Sequence, residues 1–352
     1  MRPRSPAGPP TPSSPPSPTR SPLPESEEPP MPRTHPPLDP QLAAVLAVVH
    51  DHLSPTITAD DIEELRANPM FAVPDEVLTR HGTVHLQNLS VPGPPGAPDI
   101  SLLVLKPVGS TAGAPVFYYM HGGGMIIGDH RTGVAGVLDW AVDTGAVVVS
   151  VNYRLAPEHP DPAPVEDCYA GLLWIHEHAA EIGGDPERIV VAGASAGGGL
   201  AAGVTLLARD RGGPPLLGQV LMCPMLDDRF LTPSSRELEG EGVWDATSNA
   251  TGWNALLGER RGGDQVSIYA APARATDLAG LPSAFVDVGS VETFRDEDID
   301  YAARLLQAGV QCELHVWPGG FHGFDGMAPL AALSQTASAT RTAWVRRLLT
   351  TS

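Results

Sequence analysis

Residues 193–197 read Gly-Ala-Ser-Ala-Gly, and their types and spacing suit a serine nucleophile. The apolar and mostly β-branched residues 189–192 before them predict a short strand buried on both faces. The small residues 200–208 after them predict a helix. A Gly-x-Ser-x-Gly between a strand and a helix is typical of a nucleophile elbow, a turn so tight that it needs flanking glycines. Ser195 is therefore the candidate nucleophile, with an ordinary loop serine as the alternative.

A serine hydroxyl is a poor nucleophile without a base, and His322 is the candidate base among 12 histidines. It lies in the glycine-rich residues 318–324, directly after a predicted strand at 313–316. Loops at the carboxyl ends of parallel strands are where α/β folds build their sites. The alternative is a histidine that makes hydrogen bonds within its own loop and has no catalytic role.

A third group must orient the base, and several carboxylates follow the predicted strand 284–288. Asp296, Glu297 and Asp298 fall in the first turn of the next predicted helix, where negative charge is favoured in any case. Glu292 lies in the loop itself, just past the end of the strand. We choose Glu292 as the acid that orients His322, and Asp296 remains the alternative.

Residues 121–124 read His-Gly-Gly-Gly after a predicted strand at 116–120, and they suit an oxyanion hole. Glycines allow backbone N–H groups to turn toward the oxygen that becomes negative on attack. The candidate donors are the amides of Gly122, Gly123 and Ala196, whereas His121 is predicted to be structural. A phosphate-binding loop is the alternative, but neither a following Lys-Ser/Thr pair nor a Gly-x-Gly-x-x-Gly frame is present.

These groups need a scaffold that brings several strand ends together. Strand and helix patterns alternate from residue 116 onward, which predicts a mostly parallel sheet covered by helices on both faces. A hairpin over 83–91 and 100–105 would add an antiparallel edge. Further strands are predicted at 147–151 and 219–223, and helices at 164–180, 248–257, 296–307 and 328–349.

Two short helices, predicted at 41–52 and 58–66, are too small to form a domain and must pack on something else. The stretch 225–265 also interrupts the regular alternation. Residues 1–40 hold 16 of the 38 prolines, so we predict a disordered Pro/Ser-rich tail over 1–37. A proline-rich ligand for a partner domain and an over-called start codon are the other interpretations of this tail.

The composition narrows the class of protein. Acidic residues outnumber basic ones 41 to 22, for a net charge of -19, which argues against nucleic-acid and anionic-membrane partners. No apolar run is long enough for a membrane span. The three cysteines are far apart, with no metal-ligand spacing, so they are predicted to be buried free thiols in a cytoplasmic protein. We expect no metal and no cofactor.

Together these motifs resemble the hormone-sensitive-lipase family of α/β-hydrolases, in particular its bacterial esterases. The resemblance covers residue 40 to the end, and the order Ser, acid, His is that of the fold. Its five motifs are residues 121–124, 153–160 (Tyr-Arg-Leu-Ala-Pro-Glu-His-Pro), 193–198, 292–297 and the loop of His322.

The resemblance implies a core over 81–224 and 266–352, with a helical cap built from 38–80 and 225–265. Within that cap Trp244 and Trp253 are candidates for lining the pocket, or else for the core of the cap. Family members often pair through the last strand, so a homodimer is implied. Two positions depart from the family: Ala194 stands where an Asp is usual, and Glu292 where the acid is usually Asp.

The expected activity is hydrolysis of small-molecule carboxylic esters with short to medium acyl chains, through an acyl-enzyme. Two alternatives use the same scaffold: a non-catalytic small-molecule receptor, which in this family lacks the histidine of the triad, and a lyase that reuses the oxyanion hole. An adaptor acting through the proline-rich tail is an alternative of a different class.

Overall fold

The computed structural model describes Met1, residues 35–68 and residues 72–350. The predicted tail over 1–37 thus lies almost wholly outside the described residues. Those between 35 and 350 form one compact unit. Among the described residues, no helix has the length and apolar character needed to cross a membrane.

An eight-stranded sheet runs through the centre in the order β1-β2-β4-β3-β5-β6-β7-β8. The first two strands form an antiparallel hairpin, and β2 pairs antiparallel with β4. All later neighbours are parallel. The fold class is therefore confirmed as α/β, with the antiparallel edge where the hairpin was predicted. The strands are β1 (Val84–Val91), β2 (Ile100–Pro107), β3 (Ala114–Met120), β4 (Val147–Asn152), β5 (Gly184–Ala194), β6 (Gly218–Met222), β7 (Ser283–Val291) and β8 (Cys312–Phe321).

The register of the last four strands places their carboxyl ends side by side. Ala194 of β5 lies opposite Met222 of β6, which in turn lies opposite Asp287 of β7. Val291 of β7 lies opposite Phe321 of β8. Since a candidate site residue directly follows β5, β7 and β8, the pairing itself brings Ser195, Glu292 and His322 to one edge.

Helices cover both faces of the sheet, as continuous hydrophobic parallel strands require. They are α1 (Pro40–His50), α2 (Ile62–Ala67), α3 (Asp75–Thr79), α4 (Val134–Thr144), α5 (Ala163–Ile182), α6 (Ala196–Arg211), α7 (Ala246–Leu257), α8 (Arg295–Gln307), α9 (Phe324–Met327) and α10 (Ala332–Thr350). Helices α3 and α4 were not predicted from the sequence. The helix predicted at 328–349 corresponds to α10, and the short α9 precedes it.

The first helix packs against the strand that carries the candidate base. Asp39 caps α1 by accepting hydrogen bonds from the amides of Gln41 and Leu42 at 2.8 and 3.2 Å, and its own amide donates to the carbonyl of Gly319. Leu42 and its neighbours on α1 share a core with Phe321 of β8. The N-terminal helix therefore supports the segment that leads into His322.

Hydrogen bonds connect residues 50–57 to the interrupting stretch 225–265. His50 Nε2 lies 2.6 Å from the carbonyl of Gly242, and the Thr56 hydroxyl donates to Asp245 at 2.5 Å. The amide of Ile57 donates to the Ser248 hydroxyl at 2.8 Å. These contacts supply the packing partner that the two leading helices need.

The first turn of α8 is acidic, as predicted, but two of its carboxylates are buried rather than solvated. Glu297 accepts hydrogen bonds from the amides of Leu226 and Asp227 at 2.8 and 3.1 Å. Asp298 is fully buried, and neither of its oxygens has a hydrogen-bond partner among the described residues. Burial, together with the neighbouring Glu297 carboxyl group, raises the pKa of Asp298 well above its ordinary value.

The wild-type protein should lose stability as the pH rises because Asp298 is buried. We expect the Asp298→Asn variant not to show this loss. In the unfolded chain the carboxyl releases its proton near pH 4, whereas the folded protein retains it to higher pH. The folded state then holds one more proton, so stability falls as pH rises from about 4 to the raised pKa. The slope is at most about 1.4 kcal/mol per pH unit, or roughly 2 °C per unit for a chain of this size.

Thermal unfolding from pH 5 to pH 9 tests this prediction. The melting temperature of Asp298→Asn minus that of the wild type should increase with pH. Asp300→Asn is the matched control, because Asp300 lies on the same helix with a 65% exposed side chain, and its difference should be flat. A flat difference for Asp298→Asn as well would contradict a raised pKa at that carboxyl.

Candidate active site

Ser195 lies at a strained turn between β5 and α6. Its φ of 57° and ψ of -122° fall where residues other than glycine are rarely found. The Ser195 amide donates to the carbonyl of Met222 at 2.8 Å, and its carbonyl accepts from the amide of Met225 at 2.9 Å. The end of β6 and the segment that follows it thus hold the turn by hydrogen bonds to both its amide and its carbonyl.

The two glycines of the motif are needed for close approach. A Cβ on Gly193 would lie 2.0 Å from the carbonyl oxygen of Gly197, and a Cβ on Gly197 would lie 2.0 Å from that of Met120. No side chain fits at either distance. The elbow therefore packs directly on the end of β3, where the glycine-rich loop begins.

His322 bridges the serine and the acid. Its Nε2 lies 2.9 Å from the Ser195 hydroxyl oxygen, and its Nδ1 lies 2.9 and 3.0 Å from the two oxygens of Glu292. Glu292 is fully buried and the His322 side chain is 12% exposed. With the proton on Nδ1, the imidazole donates to Glu292 and its Nε2 accepts from Ser195. The structure thus brings together all three residues selected from the sequence.

The alternative acid, Asp296, does not face the imidazole. Its carboxylate accepts from the amide of Ser234 at 2.8 Å and pairs with Arg295 at 2.8 Å. Arg295 in turn pairs with Glu237 at 3.0 Å. Asp296 therefore joins α8 to the stretch 225–265, while Glu292 contacts the base.

The pKa of His322 results from two opposing effects. Burial alone would lower it, because the charged imidazolium loses solvation. The adjacent Glu292 carboxylate, together with the neighbouring Cys223, more than offsets this loss, so the pKa of His322 is raised well above its usual value. The electrostatics thus favour transfer of a proton to His322.

The glycine-rich loop lies against the nucleophile. A Cβ on Gly122 would lie 3.4 Å from Cβ of Ser195, so the loop passes close to the serine. Gly123 has a φ of 109° and also approaches the carbonyl of Ile127 too closely for a side chain. Ala196 opens α6, and the first amides of a helix have no acceptor within it. All three proposed amide donors therefore lie close to Ser195 along the chain or in space.

His121 is buried beneath this loop. Its ring stacks on Tyr153 with 4.1 Å between the ring centroids, and the Tyr153 hydroxyl donates to its carbonyl at 2.8 Å. Burial lowers the pKa of His121 to about 4, so the ring stays neutral. This environment suits the structural role predicted for it.

The two tryptophans of the stretch 225–265 have different surroundings. The Trp244 ring lies over Gly124, where any Cβ would be 2.1 Å from the indole, and its centroid is 6.3 Å from that of His322. Trp253 is fully buried in the main hydrophobic core. Trp244 is thus placed beside the candidate base, whereas Trp253 contributes to the core.

Sequence reasoning missed Cys223, which follows β6 at the same edge of the sheet. Cys223, Glu292 and His322 each offer a ligand atom within 4.8 Å of the others. The predicted burial of all three thiols holds for Cys168, whereas Cys223 and Cys312 are partly exposed, and all three are free. Asking which residue follows each strand at the edge that carries Ser195 would have identified Cys223.

A buried ion network behind the loop of His322 was also missed. Arg341 of α10 donates to Asp287 at 2.7 Å and contacts Asp325, while the Trp317 indole N–H donates to Asp287 at 2.8 Å. Asp287 belongs to β7 and Asp325 to α9. The network therefore ties α10 to the strands that lead into Glu292 and His322.

Comparison with known proteins places this geometry in a family. A family model described as alpha/beta hydrolase fold matches residues 117–326. The chain belongs to that family. The range contains the glycine-rich loop, the elbow, Glu292 and His322, and it confirms the resemblance drawn from the motifs.

Individual relatives are similar to this chain over nearly their whole lengths. Esterase LipI of Mycobacterium tuberculosis is 37% identical over 305 residues, covering 84% of this chain and 91% of LipI. Carboxylesterase NlhH of the same species is 37% identical over 318 residues, covering 88% of this chain and 97% of NlhH. The structure titled "Bacterial Heroin Esterase" is 42% identical with a TM-score of 0.80, covering 89% of this chain and 98% of that one. These relatives give no support to the receptor and lyase alternatives.

Proposed function

We propose that this chain is a carboxylesterase that hydrolyses its substrate through Ser195, His322 and Glu292. The assignment as a carboxylic-ester hydrolase rests on the family and on relatives at 37–42% identity over most of the chain. The mechanism rests on one observation above all: a continuous chain of hydrogen bonds from the Ser195 hydroxyl through the imidazole to a buried carboxylate.

In the first step the Ser195 oxygen attacks the ester carbonyl carbon. Nε2 of His322 takes the hydroxyl proton, and the imidazolium that forms is stabilised by Glu292. The carbonyl electrons move onto the oxygen to give a tetrahedral oxyanion. The amides of Gly122, Gly123 and Ala196 donate to that oxyanion, as the close approach of the loop to Ser195 allows.

Collapse of this intermediate expels the alcohol. His322 returns its proton to the leaving alkoxide, and the acyl group remains bound to Ser195 as an ester. A water molecule then attacks the acyl-enzyme while the same nitrogen takes its proton. The acid is released and the serine is regenerated, and no step of this chemistry calls for a metal or a cofactor.

We assign the segments 38–80 and 225–265 to a cap over this site. The hydrogen bonds from His50, Thr56 and Ile57 hold the two segments together. Trp244 of the cap lies over the glycine-rich loop and near the His322 ring. Phe294 contacts the His322 ring edge-on, with 5.4 Å between the centroids. Large side chains thus crowd the surroundings of His322, which favours short acyl chains.

Hydrolysis of p-nitrophenyl acetate, butyrate, decanoate and palmitate tests the proposed substrate class. We expect kcat/KM to be highest for acetate or butyrate and to fall by at least about 10-fold toward palmitate, because added methylenes find no room beside Trp244. One unaccommodated group in a pocket already changes discrimination by about 10- to 200-fold. A preference for palmitate would contradict the proposed cap.

A further inference from the structure

A soft ligand atom lies beside the base of the triad. Cys223 is the residue immediately after β6, and its amide donates to the carbonyl of Asp287 at 2.6 Å on the neighbouring strand. This tether fixes residue 223 between the strands that lead to Ser195 and to Glu292. The proposed mechanism uses the serine, the histidine and the acid, but it gives no task to this thiol.

The three ligand types match the chemistry of zinc. Thiolate, imidazole and carboxylate are its protein ligands, at about 2.3 Å for sulfur and 2.0–2.2 Å for nitrogen and oxygen. Donor atoms bound to one tetrahedral ion then lie roughly 3.3–3.7 Å apart. The atoms offered by Cys223, Glu292 and His322 lie within 4.8 Å of one another, so side-chain rotations of about 1 Å would close them around an ion.

The charges nearby favour a cation. Glu292 is joined at this end of the sheet by Asp287 and Asp325, against the single guanidinium of Arg341. The lining of a small cavity includes Cys223 and Glu292 together with these three charged residues. The carboxyl groups in this lining outnumber its arginine, which favours a cation over an anion.

We propose that Cys223, His322 and Glu292 form an inhibitory site for zinc or another thiophilic divalent cation. On binding, the Cys223 thiol releases its proton to solvent and the thiolate coordinates the metal. A metal on Nε2 of His322 takes the position of the Ser195 hydroxyl. A metal on Nδ1 replaces the hydrogen bond between Nδ1 and Glu292, and the ring proton then resides on Nε2. In either case the imidazole no longer accepts the serine proton, so hydrolysis stops.

Cobalt substitution tests the site without reference to activity. Cobalt(II) added to the wild-type protein should produce a thiolate-to-metal charge-transfer band that rises to one equivalent. The band should be lost in Cys223→Ser and retained in Cys312→Ser, the matched control, since Cys312 is also partly exposed but lies at the far end of β8. Absence of the band in the wild type, or its persistence in Cys223→Ser, would overturn the proposal.

Zinc inhibition of p-nitrophenyl butyrate hydrolysis tests the consequence, and only this arm rests on the proposed triad. Each variant is compared with its own metal-free rate. We expect the half-inhibitory zinc concentration of Cys223→Ser to rise at least 10- to 100-fold, since changes even to groups that support a ligand cost that much. Cys312→Ser should match the wild type. Equal zinc sensitivity in all three proteins would show that zinc acts elsewhere and would refute the inhibitory site.

Discussion

Replacing Ser195 with alanine should reduce ester hydrolysis by at least about 10⁴-fold, toward the roughly 10⁶-fold scale seen when a serine of such a triad is removed. The substitution deletes the one oxygen that lies 2.9 Å from Nε2 of His322. The remaining imidazole and amides still bind and polarise an ester, so a residual rate above that of water is expected. The rate of p-nitrophenyl butyrate hydrolysis under saturating substrate measures the loss.

The variant should fold normally, because alanine fits the same turn and the amide and carbonyl of residue 195 keep their hydrogen bonds to Met222 and Met225. An unchanged melting temperature, within a few degrees, is the control for folding. A fluorophosphonate probe that labels the wild type and not the variant would locate the nucleophile independently of turnover. Retention of more than a tenth of the activity would show that another residue attacks the ester.

Replacing Glu292 with glutamine should lower kcat by roughly 10³- to 10⁴-fold, since an amide in place of the orienting carboxylate favours the wrong imidazole tautomer. A glutamine NH₂ facing Nδ1 makes that nitrogen the acceptor, and the proton then resides on Nε2. Glutamine keeps the length of the side chain, so the loss is assigned to charge and tautomer rather than to packing.

The pH profile of the same variant should shift as well. Hydrolysis needs a neutral His322, so activity is lost as pH falls through the pKa of this residue. In the wild type Glu292 raises that pKa against the effect of burial, and the acid limb should lie above the ordinary value for histidine. Without the carboxylate the largest effect that raises this pKa is gone, so the acid limb of Glu292→Gln should move to lower pH.

The dependence of kcat/KM on pH from 5 to 10 measures the acid limb of the wild type and that of Glu292→Gln. Asp296→Asn is the matched control, because Asp296 follows closely in the chain but binds Ser234 and Arg295 instead of the imidazole. Its acid limb should coincide with that of the wild type. If Asp296→Asn shifted the limb and Glu292→Gln did not, the assignment of the acid would be reversed.

Much of the scaffold was predictable because parallel strands buried on both faces appear as short, continuous apolar runs. The runs at 116–120 and 189–192 fall inside β3 and β5 for this reason. The elbow was predictable because Gly-x-Ser-x-Gly records a steric requirement, which the contacts of Gly193 and Gly197 now explain. Local chemistry of this kind is written directly in the sequence.

Other features depend on contacts that the sequence does not record. Helix α4 contains Gly136 and several β-branched residues with poor helix propensity, and packing of Val137, Leu138 and Trp140 in the core compensates for this. The position of Cys223 beside the base follows from the pairing of β6 with β7, not from any local motif.

The burial of Asp298 likewise could not be inferred from the sequence. It stands in a run of acidic residues, and an acidic first turn of a helix is ordinarily solvated. Only the packing of α8 on the sheet removes its carboxyl from water. Local propensity therefore located the helix and its charges, whereas tertiary contacts decided which of those charges are buried.

The packing of α1 on β8 also affects how the chain folds during synthesis. Leu42 and Leu46 pack against Trp317, Phe321 and Phe324, which a ribosome adds long after these two leucines. At about 5–20 residues per second, roughly tens of seconds pass before the residues that Leu42 and Leu46 pack against have been synthesised. Because loop closure over such a separation is slow, we expect α1 to dock last. Until then the apolar face of α1 is exposed on the nascent chain, where we expect a chaperone to bind it.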